Sequence, residues 1–410
     1  MQPAYAGGNQ ALAQPDKNHS AAAPPASKLM TVSSAVFSPV AFAQLPGWET
    51  DDHLAAWKAF VVSCRAVLAA NKSGDKTGST RTPPELIGIC EFALSEASAK
   101  PNFTRVMAKA FFETHFVPNR VDQSSHEGLL TGYYEPLIKG ARTAVKGYET
   151  PVYRRPPDLV NVVAESERGA KSHQMTHMRK TDKGLVPYLT RAEIEQGALK
   201  NQNLELLYFR DPVDVFFMQI QGSGRIELPD GEKIRITYDG KNGYPYTSVG
   251  RHLIEAGMFL PESMSLKALA GWLKQDRKRA EDVMWKNQSY VFFRELKGAE
   301  ADGAMGVLGI ALQPGRSMAV DTAYHAIGLP IYVTSPTLTH ATASGTFERL
   351  MIAHDVGSAI KGPERGDIFF GSGDKAGRTA GVTKHPGHFF VLQPVVRTRS
   401  GQTAGVRSNP

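Results

Sequence analysis

Three aspartates in the last quarter of the chain have surroundings suited to acid/base chemistry. Asp321 follows Met318-Ala319-Val320, Asp355 comes soon after Met351-Ile352-Ala353, and Asp367 precedes Ile368-Phe369-Phe370. A carboxyl set among apolar strand residues is partly desolvated, which raises its pKa and lets it hold a proton near neutrality. The residues themselves do not choose among the three, because an aspartate at a strand end also caps a turn or pairs with Arg or Lys.

A second group suits a polymer with sugar faces. Gln219 and Gln221 alternate in the apolar run 213–221 that ends at Gly222. Read as a strand, that run turns both amides to one face. Tyr133, Tyr134, Tyr244 and Tyr246 are available for stacking on sugar rings. The same residues also suit an ordinary hairpin with surface glutamines and core aromatics.

Other chemistries lack their motifs. A dinucleotide loop needs its glycines between a strand and a helix, whereas Gly222-Ser223-Gly224 leads into a hairpin and Gly371-Ser372-Gly373 reads as running into further loop. Gly315-Arg316-Ser317 lacks the lysine of a phosphate loop. There is no HExxH or HxH pair, so His325, His354, His385 and His388 are assigned surface or hydrogen-bonded roles rather than metal ligation. No Gly-x-Ser-x-Gly elbow supports a serine nucleophile.

The elements that must position these groups fall into three stretches. Helical spacing of Leu54, Trp57, Val61, Cys64 and Leu68 predicts a helix over 51–71, with Thr50 or Asp51 as its cap. Pro83-Pro84 opens a second helix with Leu86, Cys90 and Leu94, and 103–116 forms a third. From Gly128 the pattern is strand and loop. Thr190-Arg191-Ala192-Glu193 is a capping box, Pro229-Asp230-Gly231-Glu232 turns a hairpin, and helices return over 248–256 and 266–286, the latter broken in two. After Ser289, short β-runs separated by glycine turns point to a compact barrel rather than a doubly wound sheet.

Composition sets outer bounds. The 410 residues are 41% hydrophobic, enough for two or three domains, and no run approaches about 20 apolar residues. The net charge of +7 favours an anionic partner without naming one. The basic run at Lys274-Gln275-Asp276-Arg277-Lys278-Arg279 reads as a solvated helix face. Two cysteines, Cys64 and Cys90, exclude a cysteine-built zinc site and leave open one disulfide or two buried thiols. Residues 1–44 read as a disordered leader and 399–410 as a flexible tail. Ser33, Ser34 and Pro39 interrupt what could have been a late signal core, and no cysteine near the start could take a lipid.

Several long strings carry a resemblance. Thr131-Gly132-Tyr133-Tyr134-Glu135-Pro136, Pro151-Val152-Tyr153, Gln219-Ile220-Gln221-Gly222-Ser223-Gly224, Asn287-Gln288-Ser289-Tyr290-Val291-Phe292-Phe293 and His354-Asp355-Val356-Gly357-Ser358-Ala359-Ile360-Lys361-Gly362 resemble those of the membrane-bound lytic murein transglycosylase A family. The resemblance runs from Leu45 to Pro394. Its C-terminal part is similar to the 3D domain, named for three aspartates, which match Asp321, Asp355 and Asp367.

This resemblance implies a mainly β protein with N-terminal helices: a double-psi β-barrel catalytic domain over 45–135 plus 296–398, and an inserted β-rich substrate-groove domain over 136–295. It implies Asp367 as the catalytic residue, with Asp355, Asp321 and Lys361 supporting it and Thr131, Tyr134, Gln219, Gln221 and Gly222 binding substrate. The implied reaction is cleavage of the β-1,4 bond between MurNAc and GlcNAc with a 1,6-anhydro product, needing neither metal nor cofactor. The alternatives are an inverting glycoside hydrolase with Asp355 or Asp321 as base, or a non-catalytic glycan-binding protein. The expected partners are peptidoglycan glycan strands and, as candidates, the cell-wall synthesis or division machinery. Neither nucleic acid nor an integral membrane segment is expected, and the place of work would be the periplasm or outer-membrane periphery.

Overall fold

Three helices and a nine-stranded sheet share one hydrophobic core in the computed structural model, which describes residues 35–73, 82–122, 127–163, 175–298, 303–343 and 345–396. Strand β1 (Val36–Pro39) lies within the stretch expected to be a leader, yet it pairs antiparallel with β2 (Phe116–Asp122). Residues 1–34 and the tail 399–410 lie outside the described residues.

Helix α1 (His53–Ser73) starts at Asp52, whose Oδ1 accepts the Ala55 amide at 3.1 Å. The expected cap Asp51 has a different role: its carboxylate is buried and accepts from the Arg316 guanidinium at 2.8 and 2.9 Å and from the Leu350 amide. By length and composition α1 could cross a membrane, but Trp57, Phe60, Cys64 and Val67 bury its apolar face in the core. Helix α2 (Pro84–Ala99) begins with a proline, and a Cys64–Cys90 disulfide ties it to α1. Helix α3 (Arg105–His115) is capped by Thr104 and leads directly into β2.

After β3 (Leu129–Glu135) the chain leaves this sheet. It builds β4 (Leu137–Ala141), β5 (Thr150–Tyr153), β6 (Leu159–Asn161), β7 (His177–Thr181), β8 (Gly184–Val186) and β9 (Glu205–Phe209). The Thr190–Glu193 capping box forms as expected and opens a short turn over Arg191–Glu193.

Helix α4 (Pro212–Gln221) corrects the sequence reading, which placed a strand there. Val, Phe and Ile favour a strand locally. The decisive signals are at the ends: Asp211 Oδ1 accepts the Val213 amide at 2.8 Å, Pro212 occupies the first turn, and Gly222 ends the helix at φ 77°. The hairpin of β10 (Ser223–Glu227) and β11 (Lys233–Lys241) follows, then α5 (Val249–Glu255), α6 (Leu266–Leu273), α7 (Arg277–Met284) and β12 (Val291–Glu295). In the basic run, Lys274 bridges Asp211 and Asp214, while Arg279 lies 3.9 Å over the Trp272 ring.

The chain then returns with β13 (Ser317–Val320), β14 (Pro330–Ser335), β15 (Phe347–Val356), β16 (Arg365–Ser372), α8 (Gly373–Ala380), β17 (Lys384–Pro386) and β18 (His388–Pro394). The nine strands bond in the order β1-β2-β18-β14-β15-β13-β16-β3-β17, a second sheet runs β12-β11-β10-β4-β9-β5, and β6-β7-β8 form a third. The protein is thus mainly β with helices set around the sheets. A buried ion pair joins the first two sheets: Glu135 on β3 accepts from Arg235 on β11 at 3.0 Å, and from the Ser372 hydroxyl at 2.6 Å.

Candidate active site

Strand register sets four side chains in one row across the nine-stranded sheet. Thr131 on β3 lies opposite Asp367 on β16, Asp367 opposite Ala319 on β13, and Ala319 opposite Asp355 on β15. Register partners on neighbouring strands project to the same face. Asp367, Ala319 and Asp355 all line a cavity of about 690 Å³.

Asp367 Oδ1 accepts the Thr131 hydroxyl at 2.5 Å, and Thr131 Oγ1 in turn accepts Nη2 of Arg365 at 2.8 Å. Burial raises the Asp367 pKa, opposed by the Arg365 charge and the Thr131 hydrogen bond. The group is therefore poised to hold a proton and still has a cation and a donor in place when it gives that proton up.

Asp355 reaches the row through a register shift. Met318 pairs with Ala353 but Ala319 pairs with Asp355, so His354 is an extra residue in β15. The His354 side chain turns into the core, where Nδ1 meets Ser317 Oγ at 2.7 Å. Asp355 Oδ2 accepts the Tyr133 hydroxyl and Oδ1 the Val356 amide, each at 2.9 Å. Burial pushes its pKa up to about 6, assisted by the Asp367 charge and opposed by the donors around it, which include the Val307 amide. Tyr133, Ala304, Leu312, Ile360 and Phe369 form an apolar cluster around Ala319, the residue between the two aspartates in the row.

The opposite wall comes from the β4–β12 segment. Arg191 is fully buried; it donates to the carbonyls of Asn287 and Ser289 and, at 2.5 Å, to Gln219 Oε1. Gln219, Gln221 and Gly222 line the cavity. Because α4 is a helix, residues 219 and 221 point about 200° apart. Gln219 is accordingly buried on Arg191, while Gln221, at the end of α4, accepts the Tyr134 amide of β3 at 3.0 Å.

The family described as MltA specific insert domain matches residues 129–294, and the family described as 3D domain matches 316–393. Membrane-bound lytic murein transglycosylase A of Vibrio cholerae is 35% identical over 268 residues, covering 64% of this chain and 65% of that protein. The match thus spans less than two thirds of this curated relative's length. The crystal structure of membrane-bound lytic murein transglycosylase from Agrobacterium tumefaciens is 34% identical, covering 87% of this chain and 97% of that one with a TM-score of 0.77. The chain belongs to the membrane-bound lytic murein transglycosylase A family. Another structural relative, E. coli MltA with bound chitohexaose, is 26% identical at a TM-score of 0.62, covering 87% of this chain and 94% of that one.

Within this transglycosylase family architecture, the residues expected to act together are only partly assembled. Lys361 lines the cavity, its pKa lowered by burial and opposed by the Asp321 charge. Asp321 itself is buried away from the cavity lining, where Oδ1 accepts the Ala323 amide and Oδ2 the Gly362 amide. It fastens the loop that carries Lys361. Thr131 stands behind Asp367 rather than on the cavity surface, and the Tyr134 ring packs against α8 so closely that a Cβ on Gly377 would come within 2.7 Å of it. Of the other tyrosines considered for stacking, Tyr133 and Tyr246 line the cavity, while the Tyr244 hydroxyl donates to Tyr188 O.

Gly371-Ser372-Gly373 leads into α8, not into further loop; the Ser372 hydroxyl is turned to Glu135. Arg365 and Arg191 were missed. Arg365 was legible, since two residues before Asp367 on a strand puts it on the same face. Nothing in the sequence marks Arg191 beyond its place in the capping box.

Proposed function

We propose that the protein is a lytic transglycosylase, a carbon–oxygen lyase that cleaves the β-1,4 bond between MurNAc and GlcNAc in peptidoglycan and forms a 1,6-anhydro-MurNAc end. The observation that carries this reading is Asp367: a cavity-facing carboxyl whose pKa is raised by burial, with Thr131 and Arg365 ready to stabilise its anion. In the first step protonated Asp367 donates to the leaving glycosidic oxygen. In the second it takes the proton from the C6 hydroxyl of the same MurNAc as that oxygen attacks C1. The nucleophile belongs to the substrate, so one carboxyl suffices, and holding the ring supplies the effective concentration. Gln219, Gln221 and Gly222 would contact the strand, with Lys361 near the reacting sugar. Asp355 and Asp321 support the centre, Asp321 through the Lys361 loop. Tyr134 contributes its amide to the wall, and Thr131 acts through Asp367.

The names of the relatives support murein as substrate, and the bound chitohexaose of the E. coli relative supports a β-linked amino-sugar polymer in the cavity. We read the nine-stranded sheet as a double-psi β-barrel, on the grounds of its interleaved parallel pairs β3/β16 and β13/β15. On this reading 45–135 plus 296–398 form the catalytic domain and 136–295 the groove domain. The same family reading puts the protein at the periplasm or outer-membrane periphery, with the cell-wall synthesis or division machinery as the protein partner to test.

A second reading has an observation behind it. Asp355 faces the same cavity two strands from Asp367, and an inverting pair needs two carboxyls that face each other with room for a water between them. Mass spectrometry of fragments released from purified sacculi separates the two: anhydro ends are lighter by one water than reducing ends. Asp367→Asn should release no fragments and still sediment with sacculi. If the unmodified protein releases nothing either, it is a binding protein and the enzyme reading is wrong.

A further inference from the structure

The wall built by the second sheet carries two polar groups that the cleavage chemistry does not use. Arg155, just after β5, and Asp239, on β11, both line the cavity. Their strands belong to the second sheet, whereas Asp367 lies on the nine-stranded one.

The backbone is shaped around this pair. Tyr238 pairs with Phe293 but Gly240 pairs with Phe292, so Asp239 is an extra residue in β11, turned out of the ladder by a bulge. Gly240 makes room for the arginine, since a Cβ there would lie 3.1 Å from Arg155 Nη1. The Arg155 guanidinium is fixed by Asp239 O, Leu159 O and Asn161 Oδ1 at 2.9 to 3.0 Å. Those bonds use three of its N–H protons, and the rest have no protein acceptor among the described residues. A guanidinium immobilised before the ligand arrives loses little entropy on binding. The half-buried Asp239 carboxyl accepts no hydrogen bond and forms no ion pair among the described residues. Burial raises its pKa, opposed by the charges of Arg155 and Arg294. A carboxylate desolvated without donors is costly, and a hydroxyl that donates to it removes much of that cost. Arg155 and Asp239 balance in charge, so what the pair selects is an uncharged group that accepts at one atom and donates at the next.

We propose that Arg155 and Asp239 form a subsite for a GlcNAc unit of the glycan strand, the guanidinium donating to its acetamido oxygen and the carboxylate accepting from its C3 hydroxyl. The inference rests on the peptidoglycan reading above. GlcNAc presents these two groups on adjacent ring carbons, an acceptor beside a donor, which is the complement of the wall. In MurNAc the C3 oxygen carries the lactyl ether and has no proton to give, so Asp239 would lose its donor; a site built to bond a hydroxyl rejects the sugar that lacks it. The two sugars alternate along a strand. Holding GlcNAc at one place therefore fixes the kind of sugar at every other, including the one beside Asp367.

The test titrates chitohexaose, an oligomer of GlcNAc alone, into Asp367→Asn, so that binding is read without turnover. In that background Asp239→Ala and Arg155→Gln should each weaken binding about tenfold, the scale of one hydrogen bond to a charged group. Asp239→Asn and Arg155→Lys, which keep an acceptor and a donor, should each lose less. Chitohexaose methylated at its C3 oxygens should bind about as weakly as the unmodified oligomer binds Asp239→Ala, and should lose nothing further on that substitution. Arg155 also ties β6 to β11, so Asp239→Ala, whose carboxyl bonds to no part of the fold, decides the matter if Arg155→Gln is unstable. Unchanged affinity in Asp239→Ala, or equal binding of the methylated and unmodified oligomers, overturns the subsite. Weakened binding in Asp239→Ala with no release of anhydro ends from sacculi by the wild type would keep the subsite and defeat the transglycosylase reading, whereas anhydro release with unchanged chitohexaose affinity would do the reverse.

Discussion

Asp355 and Asp367 both lie opposite Ala319, one on each flank of β13. Only the Ala319 methyl stands between them in the row; Ala319 is 4% exposed, and burial together with the Asp367 charge raises the proton affinity of Asp355. The proximity is a product of register: without the extra residue at His354, the imidazole would face the cavity and Asp355 would point away from it.

Filling that gap should separate packing from chemistry. Ala319→Val adds two methyl groups in a strand that tolerates β-branching, so the expected loss of stability is about 1–3 kcal/mol from overpacking. We expect kcat/KM on sacculi to fall at least about tenfold, because the substrate loses the space between the carboxyls. Denaturant unfolding and fragment release, measured on the same preparation, check this; unchanged activity at reduced stability would mean the reacting sugar does not enter the gap.

Thr131 should control the pH profile. Its hydrogen bond lowers the Asp367 pKa, so Thr131→Val should raise that pKa further. Proton donation needs the protonated acid, and activity falls as pH rises through the Asp367 pKa. The alkaline limb of kcat/KM should therefore move to higher pH in Thr131→Val and stay near its wild-type place in Thr131→Ser. A shift to lower pH would contradict the assignment of Asp367 as the proton donor.

Much of the site was readable in the residues, but in unequal parts. The capping box at Thr190, the hairpin at Asp230-Gly231 and the short C-terminal strands form where their local signals put them. Local chemistry encodes such features directly. The run 213–221 went wrong because its β-branched and aromatic content outweighed a good cap at Asp211-Pro212 and a stop at Gly222. The pairing of Cys64 with Cys90 and the choice among the three aspartates depend on contacts far apart in sequence. The shift at His354 that brings Asp355 beside Ala319 leaves no trace in the pattern of residues, because it is a property of two strands rather than of one.

Asp355 should make stability fall as pH rises through the acid range. Its folded pKa of about 6 lies above the ordinary value of 3.8, so the folded state holds a proton that the unfolded chain has already lost. The associated stabilisation is complete below about pH 4 and lost as pH approaches 6, and Asp367 acts in the same direction. The difference corresponds to at most about 3 kcal/mol. Asp355→Asn should remove its share of this slope and be more stable than wild type at pH 7. Urea titrations from pH 4 to 8 read both effects; an equal slope in the variant would place the proton elsewhere.

Leu308 should show a trade between stability and activity. It adopts φ 57°, a left-handed conformation that is uncommon for a residue with a branched side chain, and the following Gly309 sits at 67°. The turn is held at its base by Gly306 N to Ile310 O at 2.8 Å and Leu312 N to Ala304 O at 2.9 Å. Gly306 also presses on β15, where a Cβ would meet His354 O at 2.4 Å. The strained residue lines the cavity next to Val307, whose amide helps hold Asp355. Strain of about 1 kcal/mol is maintained there by the surrounding structure. Leu308→Gly should relieve it and match or exceed the wild type in stability, while losing the apolar wall it presents to the substrate. A melting temperature equal to or above wild type with a several-fold higher KM is the expected pair of results. A lower melting temperature would show that the leucine is part of the packing, and an unchanged KM would show that the substrate does not touch it.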